Sequence, residues 1–172
     1  MIKKLTGKAG MSLMEMMASL LILVLLVVGM NTGMTAGLRV YQNSKNVTER
    51  AMLTSSINTK LTDILRYTEV RTVNNKTLYT NLEYGLWDVT FEAVEGKIQI
   101  CFHDKNGNRL KKTTPLINYD DDSNFKVTNF ELKYVDKNEV FNGGYCQIHY
   151  NLQNTGDGSS SDLIEAVVRV LN

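Results

Sequence analysis

Proline, histidine and cysteine are scarce in this chain, and charge of neither sign is in excess. Its 172 residues include one proline, two histidines and two cysteines, and 19 basic residues stand against 18 acidic ones to leave a net charge of +1. This balance excludes the broad positive field that draws many proteins to nucleic acid. No nucleophile, base and orienting acid can be assembled, and no phosphate-binding glycine loop is present, so we predict no enzymatic activity and no cofactor.

Apolar residues are concentrated near the start of the chain. Residues 11–30 hold a single charged side chain, Glu15, in 20 positions. In a helix these positions span about 30 Å, the thickness of the hydrocarbon core of a bilayer. Lys3, Lys4 and Lys8 precede the run and no comparable cluster follows at once. The positive-inside rule then predicts one crossing of the cytoplasmic membrane, with the N-terminus in the cytoplasm and the C-terminal domain outside.

A cleaved secretory signal is the alternative interpretation of this segment. Thr35, Ala36 and Gly37 form a weak small-residue cleavage site. However, the apolar run is longer than that of a signal peptide and carries Glu15 near its start. We therefore expect the segment to remain in the mature protein as a helix.

Glu15 is the unusual residue of the apolar run. A carboxylate in a membrane-length helix costs about 2.5 to 3.5 kcal/mol on insertion scales, so we expect Glu15 to have a partner. The alternative is a carboxylate that is tolerated because it reaches the nearby membrane interface.

The residues around Glu15 resemble a known processing motif. Lys8-Ala-Gly10, followed by Met11-Ser-Leu-Met-Glu15 and an unbroken apolar helix, is similar to the class III leader of type IV pilins and type II secretion pseudopilins. The resemblance implies that a prepilin peptidase cuts after Gly10, that Met11 becomes the methylated N-terminus, and that Glu15 is the family's glutamate at the fifth mature position. The family prefers phenylalanine where this chain has Met11.

The motif suggests a partner for Glu15. A cut after Gly10 frees an amine on Met11 that stays cationic when methylated, and a cation and a carboxylate attract strongly at low dielectric. Met11 and Glu15 are four residues apart on one helix face, so the pair can close within a subunit or between neighbouring subunits. By the resemblance, the pair forms between subunits and sets their register in a filament.

Three glycines follow the apolar run at intervals of four residues: Gly29, Gly33 and Gly37. On one helix face they allow close helix packing, and they equally well favour local melting or bending. Beyond them, apolar residues recur mostly at spacings of three and four, which predicts one helix from about residue 11 to about residue 67 whose outer half lays an apolar stripe on the outer domain. The pattern is weak between Tyr41 and Leu53, so an interruption of the helix there stays open. The stripe comprises Met34, Leu38, Tyr41, Leu53, Ile57, Leu61, Ile64 and Leu65.

After residue 71 the pattern changes to alternating and short apolar runs between turn residues. Strands are predicted over 86–94, 97–103, 109–113, 125–136, 145–152 and 163–171. Strands in succession after one long helix indicate an α+β fold, an antiparallel sheet packed on the helix, which is also the pilin architecture that the resemblance implies. The predicted organisation is a leader at 1–10, a transmembrane or filament-core helix at 11–30, its amphipathic continuation at 31–70 and a β-domain at 71–172.

Cys101 and Cys146 lie in the part predicted to be outside the membrane, where oxidising conditions permit a disulfide. Strand alternation places Cys146 on a core face with Ile148, and Cys101 opposite the apolar face of its own strand. A disulfide needs Cβ atoms that face one another, so a Cys101–Cys146 bond and two free thiols both stay open.

Alternation argues against zinc at the two cysteines. Cys101-x-His103 and Cys146-x-x-His149 contain suitable ligand types. Cys146 and His149, however, point to opposite faces of a strand, so four ligands do not converge without a bulge. We predict no metal site.

Two other polar clusters are interpreted as solvated surface. The stretch from Asp104 to Asn108 resembles the start of a calcium loop, but the loop's glycine and terminal acid are replaced by Arg109 and Pro115. A cation held by the acidic loops is the less favoured alternative; these are residues 120–122 and the pair Asp157 and Asp162. The basic residues Lys105, Arg109, Lys111 and Lys112 would contact nucleic acid only in a competence system.

The sequence thus predicts a structural subunit that polymerises into a type IV pilus or a secretion or competence pseudopilus. By the resemblance, its partners are the prepilin peptidase, sister subunits, the inner-membrane assembly platform and, before assembly, the lipid bilayer. Minor pilin or pseudopilin is the interpretation we favour. The alternative is an unprocessed single-pass membrane protein whose outer domain binds a ligand.

Overall fold

A computed structural model describes residues 12–118, 123–136, 144–156, 158–161 and 163–171. The chain divides into two compact units, Met1–Val47 and Thr48–Asn172. The described residues form one helix and eight antiparallel strands, so the predicted α+β class is confirmed. The elements are α1 (Leu13–Arg66), β1 (Glu69–Val73), β2 (Lys76–Asn81), β3 (Leu86–Val94), β4 (Lys97–His103), β5 (Arg109–Pro115), β6 (Phe125–Val135), β7 (Tyr145–Asn154) and β8 (Ile164–Arg169).

At the end of helix α1, residues distant in sequence donate hydrogen bonds to its last carbonyl groups. Asn81 Nδ2 donates to Ile64 O at 2.6 Å, and Leu171 N donates to Arg66 O at 2.8 Å. These carbonyls have no partner within a helix and need one from elsewhere. The helix therefore stops one residue before the predicted end.

The buried face of α1 lies in the second unit. Ile57, Leu61, Ile64 and Leu65 are at most 4 % exposed and follow the spacing of one helix face. The predicted stripe is confirmed for these residues and for the partly buried Leu53. Met34, Leu38 and Tyr41, which share this spacing but lie in the first unit, are exposed.

Strands β1 to β5 form a five-stranded antiparallel meander. Strands β3 and β4 have their predicted bounds, and the turn between them has positive φ at Glu95 and Gly96, as a type I′ turn requires. The hairpin of β1 and β2 was not predicted. Its turn also has two positive φ angles, at Asn74 and Asn75, but its strands are short and polar and carry little of the alternation that identifies a half-buried strand.

Strands β6 to β8 form a second, three-stranded antiparallel sheet. In β6 the register with β7 shifts between Thr128 and Glu131, and Asn129 has a φ of 51°. This bulge lets Val127 and Phe130, which strict alternation would place on opposite faces, both pack against the core.

One hydrophobic core joins α1 to residues of both sheets. The sheets meet where Val127 N donates to Gly96 O at 2.7 Å. Within the core, the rings of Tyr79 and Phe91 pack edge to face with centroids 5.8 Å apart.

The opposite side of the five-stranded sheet, here called the outer face, is partly covered as well. Leu78 and Cys101 are fully buried on this face, and His103 is 6 % exposed. At one end the turn of β1 and β2 meets the turn of β4 and β5, because Asn74 Nδ2 donates to Asn106 O at 2.9 Å. The sheet therefore curls so that its two terminal hairpins touch.

Candidate functional site

The first unit presents an apolar helical surface to its surroundings. The large apolar side chains from Leu13 to Met30 are all between 49 % and 80 % exposed. This part of α1 is long and apolar enough to cross a membrane. Apolar patches of this size are rare on soluble monomers and mark contacts with a membrane or another protein, so the segment is the candidate functional surface.

Glu15 lies in the first turn of this segment and makes one of the two hydrogen bonds of a capping box. Ser12 N donates to Glu15 Oε2 at 3.2 Å, and Met16 N donates to Ser12 O at 3.1 Å. A serine followed three residues later by glutamate satisfies backbone donors at a helix start. This role was not predicted, although Ser12 and Glu15 have the required spacing.

The processing residues of the motif, Gly10 and Met11, lie outside the described residues. Their spatial relation to Glu15 therefore stays a prediction. What the described part contributes is a Glu15 carboxylate held at the helix start by the Ser12 amide.

Hydroxyl groups in the exposed segment are bonded to their own helix. Ser19 Oγ donates to Glu15 O at 2.6 Å, and Thr32 Oγ1 donates to Val28 O at 2.8 Å. Such bonds to the carbonyl four residues earlier satisfy polar side chains where no water is available. Glu15 is then the one side chain between Leu13 and Met30 that brings a charge to this surface.

Gly29, Gly33 and Gly37 lie within α1, which continues through them. A Cβ atom at any of the three would meet nothing within 4 Å. Nothing in the described chain therefore requires glycine here. A shallow apolar depression lies at Gly29, where Ile22, Leu25, Leu26 and Met30 also line it.

The two cysteines are free thiols, one on each sheet. Cys146 lies in the core, where burial raises the pKa of its thiol to about 12. Cys101 lies on the outer face, where burial and then the Glu92 carboxylate raise its thiol pKa, while Arg109 Nη2 donates to its sulfur at 3.1 Å. The disulfide alternative is therefore not the one that the structure adopts.

The two histidines lie on strands β4 and β7. His103 Nδ1 lies 3.2 Å from Cys101 O, and Cys146 and His149 alternate to opposite faces of β7, as predicted. Within the described ranges, His, Cys, Asp and Glu do not gather in groups of three or more suited to a metal ion.

The calcium-like stretch forms a turn around Asp104. Its carboxylate accepts the backbone amides of Asn106 and Asn108 at 2.8 Å and the Asn108 side-chain amide at 3.0 Å. The bonds from Asn108 and Asn106 lower the pKa of Asp104. The acidic residues 120–122, 157 and 162 lie outside the described residues.

Two of the four basic residues near β5 have internal partners. Arg109 Nη1 lies 2.9 Å from Glu92 Oε2, and Lys112 Nζ lies 5.0 Å from the centre of the Phe102 ring. These contacts leave a smaller basic surface than the sequence suggests.

Comparisons with protein-family models, curated proteins and solved structures find no match for this chain.

Proposed function

We propose that this chain is a prepilin-like structural subunit that assembles through the first part of α1 into a type IV pilus or a secretion or competence pseudopilus. In this proposal a prepilin peptidase removes residues 1–10, and Met11 becomes the methylated N-terminus. The subunit first resides in the cytoplasmic membrane with its β-domain outside, and the assembly platform then moves it into a filament. Its role is structural and not catalytic.

The observation that carries the proposal is the placement of Glu15. It stands in the first turn of a helix whose large apolar side chains are exposed as far as Met30. It is also five residues after Gly10 of the leader-like motif. A simple membrane anchor would need neither the carboxylate nor the glycine.

Physical chemistry supports a role for Glu15 in subunit register. In a helix bundle or a bilayer, the carboxylate is in a setting of low dielectric, where an incoming cation is attracted strongly. The amine of a neighbouring Met11 is such a cation. Because Ser12 N already holds one carboxylate oxygen, the carboxylate is fixed at the helix start before a neighbour arrives.

The β-domain supports the proposal through its architecture only. A helix with one face buried against antiparallel strands suits a subunit whose apolar segment packs with its neighbours and whose sheets remain outside. The glycine stripe at residues 29, 33 and 37 would let neighbouring helices approach closely, since no side chain stands there.

The rival is an unprocessed single-pass protein with an outer binding domain. Intact mass spectrometry of the membrane-extracted protein distinguishes the two, in cells with an active prepilin peptidase and in cells lacking it. We expect the mass of residues 11–172 plus one methyl group in the first strain and the full-length mass in the second. Full-length protein in both strains would rule out the proposed processing.

A further inference from the structure

Strand β8 is an edge strand, and one row of its backbone groups points away from the sheet. It is the last strand of the three-stranded sheet and pairs with β7 alone. Val170 N donates to Gly144 O at 3.0 Å, which continues the register of the two strands. Antiparallel strands bond through alternate residue pairs. The even-numbered residues of β8 therefore bond β7, and the backbone groups of Glu165, Val167 and Arg169 point outward.

Helix α1 covers the far end of this edge. Leu171 N, which has the same direction as the outward amides of β8, donates to Arg66 O at 2.8 Å. Among the described residues, no backbone group bonds the outward amides and carbonyls of Glu165, Val167 and Arg169. An edge of this kind is a template for a strand from another chain.

The outward side chains of β8 are, in order, negative, apolar and positive. Glu165, Val167 and Arg169 are all exposed, whereas Ile164, Ala166 and Val168 pack against the core. Val167 is 66 % exposed. The ion pairs between described residues involve neither Glu165 nor Arg169. Both charges are therefore available to a partner.

The neighbouring strands reinforce this order of charge. The cross-strand row of Glu165 continues with His149 and Glu131, so this end of the face carries two carboxylates. The middle row contains Lys133, and the row of Arg169 contains no carboxylate. A cation is thus favoured beside Glu165 and an anion beside Arg169.

We infer that β8 pairs edge to edge with β8 of a second copy of this chain, about a two-fold axis at Val167. In this antiparallel register Glu165 lies opposite Arg169 of the second copy, and Arg169 lies opposite its Glu165. Val167 meets the same residue of the second copy. Each of the three outward residues donates and accepts a backbone bond, because all three belong to the outward row. Opposite charges and apolar side chains that face one another stabilise such pairs.

The free edge of the five-stranded sheet is unsuited to the same pairing. Every residue of β5 is exposed, Lys111 and Lys112 follow Arg109 with the same sign of charge, and Pro115 has no amide hydrogen to donate. Lysine and proline are devices that keep edge strands apart. Strand β8 has neither residue type between Ile164 and Arg169 and carries one charge of each sign.

A two-fold contact joins two chains and is then closed. It uses β8 and not the apolar segment of α1, so this inference does not depend on the proposed filament assembly. Because the open edge is short, we expect a weak, reversible contact. Covalent trapping is the suitable measurement.

Cysteine cross-linking tests the register directly. Cα atoms of a hydrogen-bonded antiparallel pair are about 5.5 Å apart, within the range of a disulfide. The full-length Val167→Cys chain, in detergent with a mild oxidant, should therefore form disulfide-linked dimers. Glu165→Cys is the matched control, because its two copies are separated by about 13 Å along the paired strands. The parent chain should also stay monomeric on a non-reducing gel, since both native thiols are fully buried.

Charge reversal within the Val167→Cys chain tests the occupant. Glu165→Arg places like charges opposite Arg169 of the second copy, and Arg169→Glu places like charges opposite its Glu165. Each variant alone should cross-link about tenfold more slowly. A mixture of the two should cross-link at the rate of the chain with Val167→Cys alone, because opposite charges then face one another again. Circular dichroism confirms that each variant is folded.

Two results would overturn the inference. One is cross-linking of natively folded Val167→Cys chains no faster than that of Glu165→Cys chains. The other is a mixture of the charge-reversed variants that cross-links no faster than each variant alone. Association through α1 would not reproduce this dependence on position and charge, so either failure leaves the filament proposal standing.

Discussion

Glu49 of helix α1 and Asn124, the residue before β6, are joined by two hydrogen bonds. Asn124 N donates to Glu49 Oε1 and Asn124 Nδ2 donates to Glu49 Oε2, both at 3.1 Å. Asn124 O in turn accepts the Thr155 amide at 2.8 Å. One carboxylate therefore ties the helix to the start of β6 and, through Asn124, to the residue after β7.

Replacement of Glu49 by glutamine should destabilise the second unit. The amide retains the size of the carboxylate but offers one acceptor oxygen for donors that now use two. We expect the free energy of unfolding to fall by about 1 to 3 kcal/mol, measured by urea denaturation followed by circular dichroism. The control is Lys45→Gln at an exposed helix position, which should change stability little. Equal effects of the two substitutions would show that the bonds to Asn124 are unimportant.

Two buried tyrosines should respond oppositely to loss of their hydroxyl groups. Tyr79 Oη has no hydrogen-bond partner among the described residues, so Tyr79→Phe should stabilise the protein by about 1 kcal/mol. Tyr150 Oη donates to Asn58 Oδ1 at 3.0 Å, so Tyr150→Phe should destabilise it by a similar amount. Burial raises the pKa of both hydroxyl groups. Thermal and urea denaturation compare the variants, and a loss of stability in Tyr79→Phe would indicate a partner for that hydroxyl.

The buried thiol of Cys146 should make stability depend on alkaline pH. Its pKa is raised from 9.0 to about 12 by burial, so between these values the folded state keeps a proton that the unfolded state loses. The free energy of unfolding should therefore fall as pH rises from about 9 towards 12, while the contribution is complete below 9. Cys146→Ala should reduce this decline between about pH 9 and 10, before most tyrosines of the unfolded chain titrate.

Cys101→Ala is the comparison for that experiment. Burial also raises the pKa of the Cys101 thiol, but this thiol lies on the outer face and not in the core. Both thiols should resist a maleimide reagent in the native protein and react after unfolding, because both are fully buried. A decline with pH that is identical in Cys146→Ala and the parent chain would exclude the proposed linkage.

Two substitutions of Glu15 separate its capping role from its charge. Glu15→Gln preserves a residue that closes a capping box but removes the charge, whereas Glu15→Ala removes both. If the carboxylate pairs with a neighbouring Met11 amine, both variants should insert in the membrane and neither should enter filaments. Membrane fractionation and immunodetection of sheared filaments measure the two steps. Normal incorporation of Glu15→Gln would refute charge pairing and leave helix capping as the role of this residue.

Much of the secondary structure was predictable because its signals are local. The bounds of β3 and β4 follow from alternation and from the Glu95-Gly96 turn between them. The buried face of α1 follows from the spacing of Ile57, Leu61 and Leu65. The hairpin of β1 and β2 was missed because its strands are short. The bulge in β3, where Trp87 and Asp88 together oppose Thr80, was missed because it depends on the register with β2.

The apolar segment was predictable in its extent, and its capping box could have been recognised from Ser12 and Glu15 alone. The state of the cysteines could not, because alternation identifies a face but not what covers it. Cys101 stands on the face opposite the core and is nevertheless buried, under Arg109 and beside a curled hairpin.

By itself, the sequence determined the exposed apolar helix, the position of Glu15 in its first turn and the antiparallel character of the strands, because each depends on residues a few positions apart. The tertiary structure alone decided the division into two sheets, the free thiols, the link from Glu49 to Asn124 and the exposure of Trp87 in β3. Each of these joins residues far apart in the chain or depends on strand register, and such pairings are set by the packing of the whole domain rather than by any local pattern.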